Sequence, residues 1–163
     1  MEIINWVDYF LEVAKTASLR SNCLRAQVGA VIVSSDKTVK ATGYNGTPSK
    51  VTSCAERNFC YRMVHNIPSG TRYETCRSIH AEQNAIIQAG KERCEGATMY
   101  IYGHDFICIL CKRFIVQAGI KEVFLKKNPA SPALKVTVEE LRKQLEEMDF
   151  EPITDSNTIV QER

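Results

Sequence analysis

A chain of 163 residues, 44% hydrophobic and 25% charged, can bury one core and has an ordinary globular composition, which excludes a disordered or fibrous protein. Its formal net charge of +2, from 21 Lys and Arg against 19 Asp and Glu, is too balanced for a protein that coats nucleic acid or acidic lipid. No apolar run approaches the roughly 20 residues that span a bilayer, and the opening residues carry acid where a signal peptide carries base. The expectation is therefore a cytoplasmic protein with no membrane partner and no nucleic-acid partner.

Apolar residues recur at helical spacing over 3–19 (Ile3, Val7, Phe10, Leu11, Ala14), predicting a helix with one buried face. The β-branched run 28–33, the turn Ser34-Ser-Asp-Lys37 and the run 38–42 read as a hairpin. Residues 43–73 are rich in Gly, Pro, Ser, Asn and Cys and have no sustained period, apart from a short helix around 55–64. So long a loop in a compact domain is usually functional. A helix over 78–89, a strand over 98–102, a helix over 109–118 and a strand over 120–126 follow. The charged segment 137–148 reads as an amphipathic helix, with Thr137 as N-cap and Glu140 completing a capping box. Strands alternating with helices predict one α/β domain over 1–163, its first two strands antiparallel and later ones joined by crossovers.

Within this frame, His80 and Glu82 lie about 200° apart around an ideal helix and cannot both be ligands from mid-helix. At a helix N-terminus the geometry relaxes, and His80 can reach a metal while Glu82 reaches the water beside it. Cys108-Ile-Leu-Cys111 opens the next helix, where the positive end of the dipole favours two thiolates on one metal. One His and two Cys leave a coordination position open, which marks a catalytic rather than a structural zinc. Such a zinc activates water, and Glu82 is placed to move the protons. The competing readings are a capping histidine, a solvated carboxylate and a redox pair of thiols.

The run Ser78-Ile-His-Ala-Glu-Gln-Asn-Ala-Ile86, the later Cys108-x-x-Cys111 and Ala118-Gly-Ile-Lys-Glu-Val123 resemble the zinc deaminases of cytidine and deoxycytidylate. Asn22-Cys-Leu-Arg-Ala-Gln-Val-Gly-Ala-Val31 and Gly43-Tyr-Asn-Gly-Thr-Pro48 are similar to the deoxycytidylate branch. The resemblance implies a three-layer α/β/α cytidine-deaminase-like fold with a mixed central sheet of about five strands. It also implies zinc-dependent conversion of dCMP to dUMP and ammonia, with His80, Cys108 and Cys111 as ligands and Glu82 as the proton carrier. Asn45 would bond the sugar, the Ala81 N–H the base carbonyl, and Arg25 or Lys50 a phosphate. The enzyme would be a homo-oligomer acting on a small nucleotide. The alternatives are another cytosine substrate (cytidine, dCTP or a modified nucleotide) and a catalytically silent, zinc-stabilised nucleotide-binding module.

Three features depart from the family pattern. Ile107 stands where relatives have proline before the first cysteine. The loop from Tyr100 to Cys108 is longer, bringing His104 and Phe106 into the region that borders the base. Ser49-Lys-Val-Thr-Ser53 lacks the glycine of effector-regulated members. Of the seven cysteines, Cys23, Cys54, Cys60 and Cys76 fall outside the catalytic set. By resemblance Cys23 and Cys54 match a second, structural zinc site of some relatives, Cys60 and Cys76 are unmatched candidates to complete it, and buried free thiols are the alternative. Cys94 is expected to be a surface or packing cysteine.

Overall fold

The computed structural model describes residues 1–148; residues 149–163, the end of the domain expected over 1–163, lie outside the described residues. Five strands form one sheet: β1 (Gly29–Val33), β2 (Val39–Tyr44), β3 (Thr98–Tyr102), β4 (Glu122–Lys126) and β5 (Leu134–Thr137), in the order β2-β1-β3-β4-β5. Only β3 and β4 run parallel, so the sheet is mixed, as predicted.

Every residue of β1 is buried, because both faces of the sheet are covered. Val31 and Val33 meet Phe10, Leu11 and Ala14 of α1 (Trp6–Ser18) on one side. Ala30 and Ile32 meet the opposite layer, where α4 (Ala81–Ala89), α6 (Ile109–Ala118) and α7 (Val138–Glu147) pack. The result is the three-layer α/β/α arrangement.

The face of α4 that meets the sheet carries only Ala81, Ala85 and Ala89, so its backbone comes close to β2. Gly43 makes that approach possible. A Cβ there would lie 2.3 Å from the Ala81 carbonyl oxygen and 2.4 Å from the Ala85 nitrogen. The crossover from β3 through α6 to β4 places the N-terminus of α6 beside that of α4, at the end of the sheet where β3 finishes.

Three expectations change in detail. The helix over 78–89 begins only at Ala81, because Ile79 is extended and pairs with Gly46 through two backbone hydrogen bonds of 2.8 and 3.1 Å. The helix around 55–64 is two single turns, α2 (Cys54–Arg57) and α3 (Tyr61–Val64), broken where Asn58 turns left-handed at φ 48°. The edge strand β5 and the single turn α5 (Lys91–Cys94) were not predicted, since four-residue elements show no measurable period. The helix over 137–148 is α7, and its Thr137–Glu140 capping box is present.

Candidate active site

His80 and Cys108 occupy equivalent places: each is the extended residue that caps a helix, α4 and α6 respectively. The Gly43-Tyr-Asn-Gly46 segment fixes the first of these. Gly46 pairs with Ile79, the Tyr44 carbonyl accepts from Asn84 Nδ2 at 2.7 Å, and the Gln83 side chain accepts the His80 N–H at 3.0 Å. At the second, Cys108 Sγ accepts the Cys111 N–H at 3.4 Å, which turns both sulfurs to one side.

The two helix starts converge. His80 Nδ1 lies 3.3 Å from the sulfur of Cys108 and 3.3 Å from that of Cys111. Among the described residues this is the only set of three or more His, Cys, Asp or Glu donors whose ligand atoms gather closely enough for one metal ion. Donors at ordinary Zn–N and Zn–S lengths around a tetrahedral metal stand about 3.5 Å apart, so the spacing and the soft donor chemistry fit zinc. His80, Cys108 and Cys111 would hold the ion.

Glu82, only 3% exposed, lies on the same wall. Burial raises its carboxyl above the usual carboxylate range, against the opposing pull of His80. The hydrogen bond with Cys111 drives the Cys108 thiol down to about 4, with His80 adding to the effect. The Cys111 thiol is raised, by its side-chain bond to Cys108 and by burial. Burial works to lower His80, but its bond to Cys108 and the charge of that sulfur outweigh it and raise the imidazole. Zinc bound here would favour both sulfurs as thiolates.

A cleft of about 700 Å³, counting its open mouth, runs from this cluster towards the irregular segment. Asn45, Ala81 and His104 line it. Ala81 opens α4, so its N–H is a first-turn donor without an intrahelical acceptor. The Asn45 amide already serves the fold: Oδ1 accepts the Val28 N–H at 2.9 Å and Nδ2 donates to the Ala26 carbonyl at 2.8 Å. One hydrogen and one lone pair remain for a ligand. The His104 ring packs at a tilt on Phe106, centroids 4.9 Å apart, and burial lowers its basicity. Gly103, at φ 106°, makes this loop possible, because a Cβ there would lie 2.3 Å from the Gln27 carbonyl.

Arg25 lines the cleft, whereas Lys50 sits in an exposed turn outside its lining. Cys23, Cys60 and Cys76 also line it, and Cys54 lies near them: burial raises the Cys54 thiol, and Cys60, Cys23 and Cys76 raise it further. All seven cysteines are free, and their ligand atoms outside the His80 set do not meet three at a time. Cys94 is fully buried and packs in the core, so it is no surface residue.

Sequence reasoning missed Arg62 and Tyr73, both on the cleft wall. In α3 the usual sense of burial is inverted: Tyr61, Met63 and Val64 are exposed while Arg62 is 4% exposed. Hydropathy points away from such a residue, and no periodic pattern marks it.

A buried carboxylate beside three soft donors with an open side is the arrangement of a metal-assisted hydrolytic site. The profile of the family described as "Cytidine and deoxycytidylate deaminase zinc-binding region" matches residues 4–127, and the chain belongs to that family. It is 42% identical to the deoxycytidylate deaminase of Schizosaccharomyces pombe over 119 residues, 73% of this chain and 36% of that protein. It is 36% identical to the deoxycytidylate deaminase of Mycobacterium phage D29, over 76% of this chain and 96% of the phage protein. The chain thus spans little more than a third of the yeast relative and nearly all of the phage one. Its fold superposes on the dCMP deaminase of cyanophage S-TIM5, solved in complex with dCMP and dUMP, with a TM-score of 0.54 at 27% identity. That match covers 72% of this chain and 78% of the cyanophage chain.

Proposed function

We propose that this chain hydrolyses dCMP to dUMP and ammonia. The convergence of His80, Cys108 and Cys111 on one point, with buried Glu82 beside it, carries the reading. The relatives named as deoxycytidylate deaminases support the choice of nucleotide. Zinc, when bound, supplies the Lewis acidity that makes a water nucleophilic near neutrality.

The protein's own groups do the rest. Glu82 accepts a proton from the water whose oxygen adds to C4 of the cytosine ring, and delivers it to N3. A second proton passes through Glu82 to the exocyclic nitrogen. The C4–N bond then breaks, ammonia leaves and a carbonyl remains at C4. The raised affinity of Glu82 for a proton suits a group that must both take and give one. The Ala81 N–H is offered to the base carbonyl, the remaining valences of Asn45 to the sugar, and Arg25 is the cation for the phosphate.

The inserted loop favours a second reading, another cytosine substrate, because His104 and Phe106 form part of the wall. Ammonia release from cytidine, dCMP, dCTP and a 5-substituted dCMP separates the two; release only from a substrate other than dCMP discards the first. Silence with every cytosine nucleotide, with zinc bound, would instead favour a non-catalytic module.

Two further features belong to this proposal. Cys23, Cys54, Cys60 and Cys76 would hold a second, structural zinc once their sulfurs gather; the influence of the other three on the Cys54 thiol and the bond from the Arg25 N–H to Cys23 Sγ at 3.4 Å support it. The enzyme is a cytoplasmic homo-oligomer, for which Trp6 and Tyr9, exposed on α1, offer apolar contact surface. Among the described residues no helix is long and apolar enough to cross a membrane. Light scattering of the purified protein gives the oligomeric state, and a monomer at working concentration removes the oligomer from the proposal.

A further inference from the structure

A histidine that binds a metal through one ring nitrogen is usually oriented by a hydrogen bond at the other, donated to a carboxylate or carbonyl. His80 faces the two sulfurs through Nδ1. Among the described residues no protein group accepts a hydrogen bond from its Nε2, and His80 lines the open cleft. The ring of Tyr73 stands against it instead, edge to face, with centroids 4.7 Å apart and planes at 73°.

Tyr73 is in turn held from behind. The Arg62 guanidinium lies over its ring, 5.1 Å from the centroid. Arg62 is a buried cation that forms no ion pair with any carboxylate among the described residues. Burying a charge so is costly unless its donors are used. Here they are: Nη1 donates to the Arg72 carbonyl at 2.5 Å and to Thr75 Oγ1 at 3.4 Å, and Nη2 donates to the Pro68 carbonyl at 2.9 Å. These three acceptors frame the stretch that carries Tyr73. That stretch contains strained backbone, since Arg72 is left-handed at φ 48°. A planar fork that joins the Pro68 and Arg72 carbonyls before Tyr73 to the Thr75 hydroxyl after it fixes the loop and the ring together.

We propose that Arg62 is a positioning residue for the zinc ligand His80, acting through the ring of Tyr73. Edge-to-face packing on Tyr73 orients the imidazole, and Arg62 sets the plane of the packing ring. Lysine at this position keeps the charge but is a point donor and cannot bridge the Pro68 and Arg72 carbonyls. The inference rests on His80 being a zinc ligand, and its test separates the two.

The experiment measures zinc release to a chromogenic chelator from the purified zinc-loaded protein and from Arg62→Lys, Tyr73→Leu and Tyr73→Phe. The cobalt-substituted spectrum, the thermal midpoint of the zinc-free form and KM for dCMP are recorded on the same samples. Release from Arg62→Lys and Tyr73→Leu is expected to quicken about tenfold or more, the scale on which the supports of metal ligands act. Their cobalt bands shift. Tyr73→Phe keeps the ring and stays within about twofold of the parent, as an effect carried by packing requires. Unchanged release from Tyr73→Leu overturns the proposal, even if Arg62→Lys does not fold. So does a higher KM in Arg62→Lys with zinc release and cobalt spectrum unaltered, which would make Arg62 a substrate contact. A fall in the zinc-free midpoint with no change in zinc release also overturns it, leaving Arg62 a loop brace. Failure of the parent protein to retain any zinc would instead remove the ligand assignment itself.

Discussion

The paired helix starts that carry His80 and Cys108, and the irregular stretch 45–79 that faces them across the cleft, are held by different forces. The helix starts are anchored by core packing. Ala81, Ala85, Cys111 and Ile115 are almost fully buried against the sheet, and the donor atoms follow from where the two helices begin. The facing stretch contributes little to that core. Polar side chains clasping backbone hold it: Arg25 on the Ile67 carbonyl, Arg62 on those of Pro68 and Arg72, and the Ser53–Glu56 capping box. Packing is short-ranged and sums over many contacts, whereas each clasp is a single, separable interaction. The donor set thus stands on the more redundant side, and the facing wall of the cleft on the side that one substitution can loosen.

The largest effect expected is on the chemical side. Glu82→Gln should lower ammonia release from dCMP by about 10²–10⁴-fold, the usual share of a general acid–base, while zinc content stays at the parent level. Unchanged release would remove Glu82 from the mechanism. The facing side is probed by metal analysis. The purified protein should carry nearer two zinc ions than one per chain, and Cys54→Ser should lose one of them. That variant should also exchange amide hydrogens faster over 45–79 while the starts of α4 and α6 keep their protection. A clean value of one zinc in the parent would sink the second site.

Smaller effects compare the two modes of attachment directly. Asn45→Ala removes the partners of the Val28 N–H and the Ala26 carbonyl, and each orphaned buried group costs about 1–3 kcal/mol. Chemical denaturation reads this loss, and a variant as stable as the parent would show that the clasp is dispensable. Gly43→Ala pushes a methyl group into the backbone of α4, with an expected loss of about 1–3 kcal/mol typical of overpacking. Because α4 carries His80, zinc release should quicken along with it. A loss of stability with unchanged zinc release would show that the cap residue is insulated from the helix behind it.

Much of the catalytic side was legible beforehand because its signals are local. The segment 109–118 has a helical period and follows Cys108, so the helix, its start and the turning of two sulfurs to one side could all be read together. Gly43 to Gly46 could be matched to a family, but their purpose could not be derived: the contact of Gly43 with α4 and the pairing of Gly46 with Ile79 join residues far apart in the chain. The start of the helix at Ala81 rather than 78 has the same cause. Helix propensity would allow an earlier start, and the pairing of Ile79 with Gly46 overrides it.

By itself the sequence determined the α/β alternation, the donor types and their attachment to two helix starts, since periodicity, capping and ligand spacing act over a few residues. Tertiary structure alone decided that His80 meets both sulfurs at 3.3 Å, that half of the Asn45 amide's capacity is spent on backbone, and that Arg62 is buried behind Tyr73. Each of these depends on which distant segments share one space. That is settled by packing against a common sheet and by satisfying buried polar groups, neither of which leaves a mark on neighbouring residues in the chain.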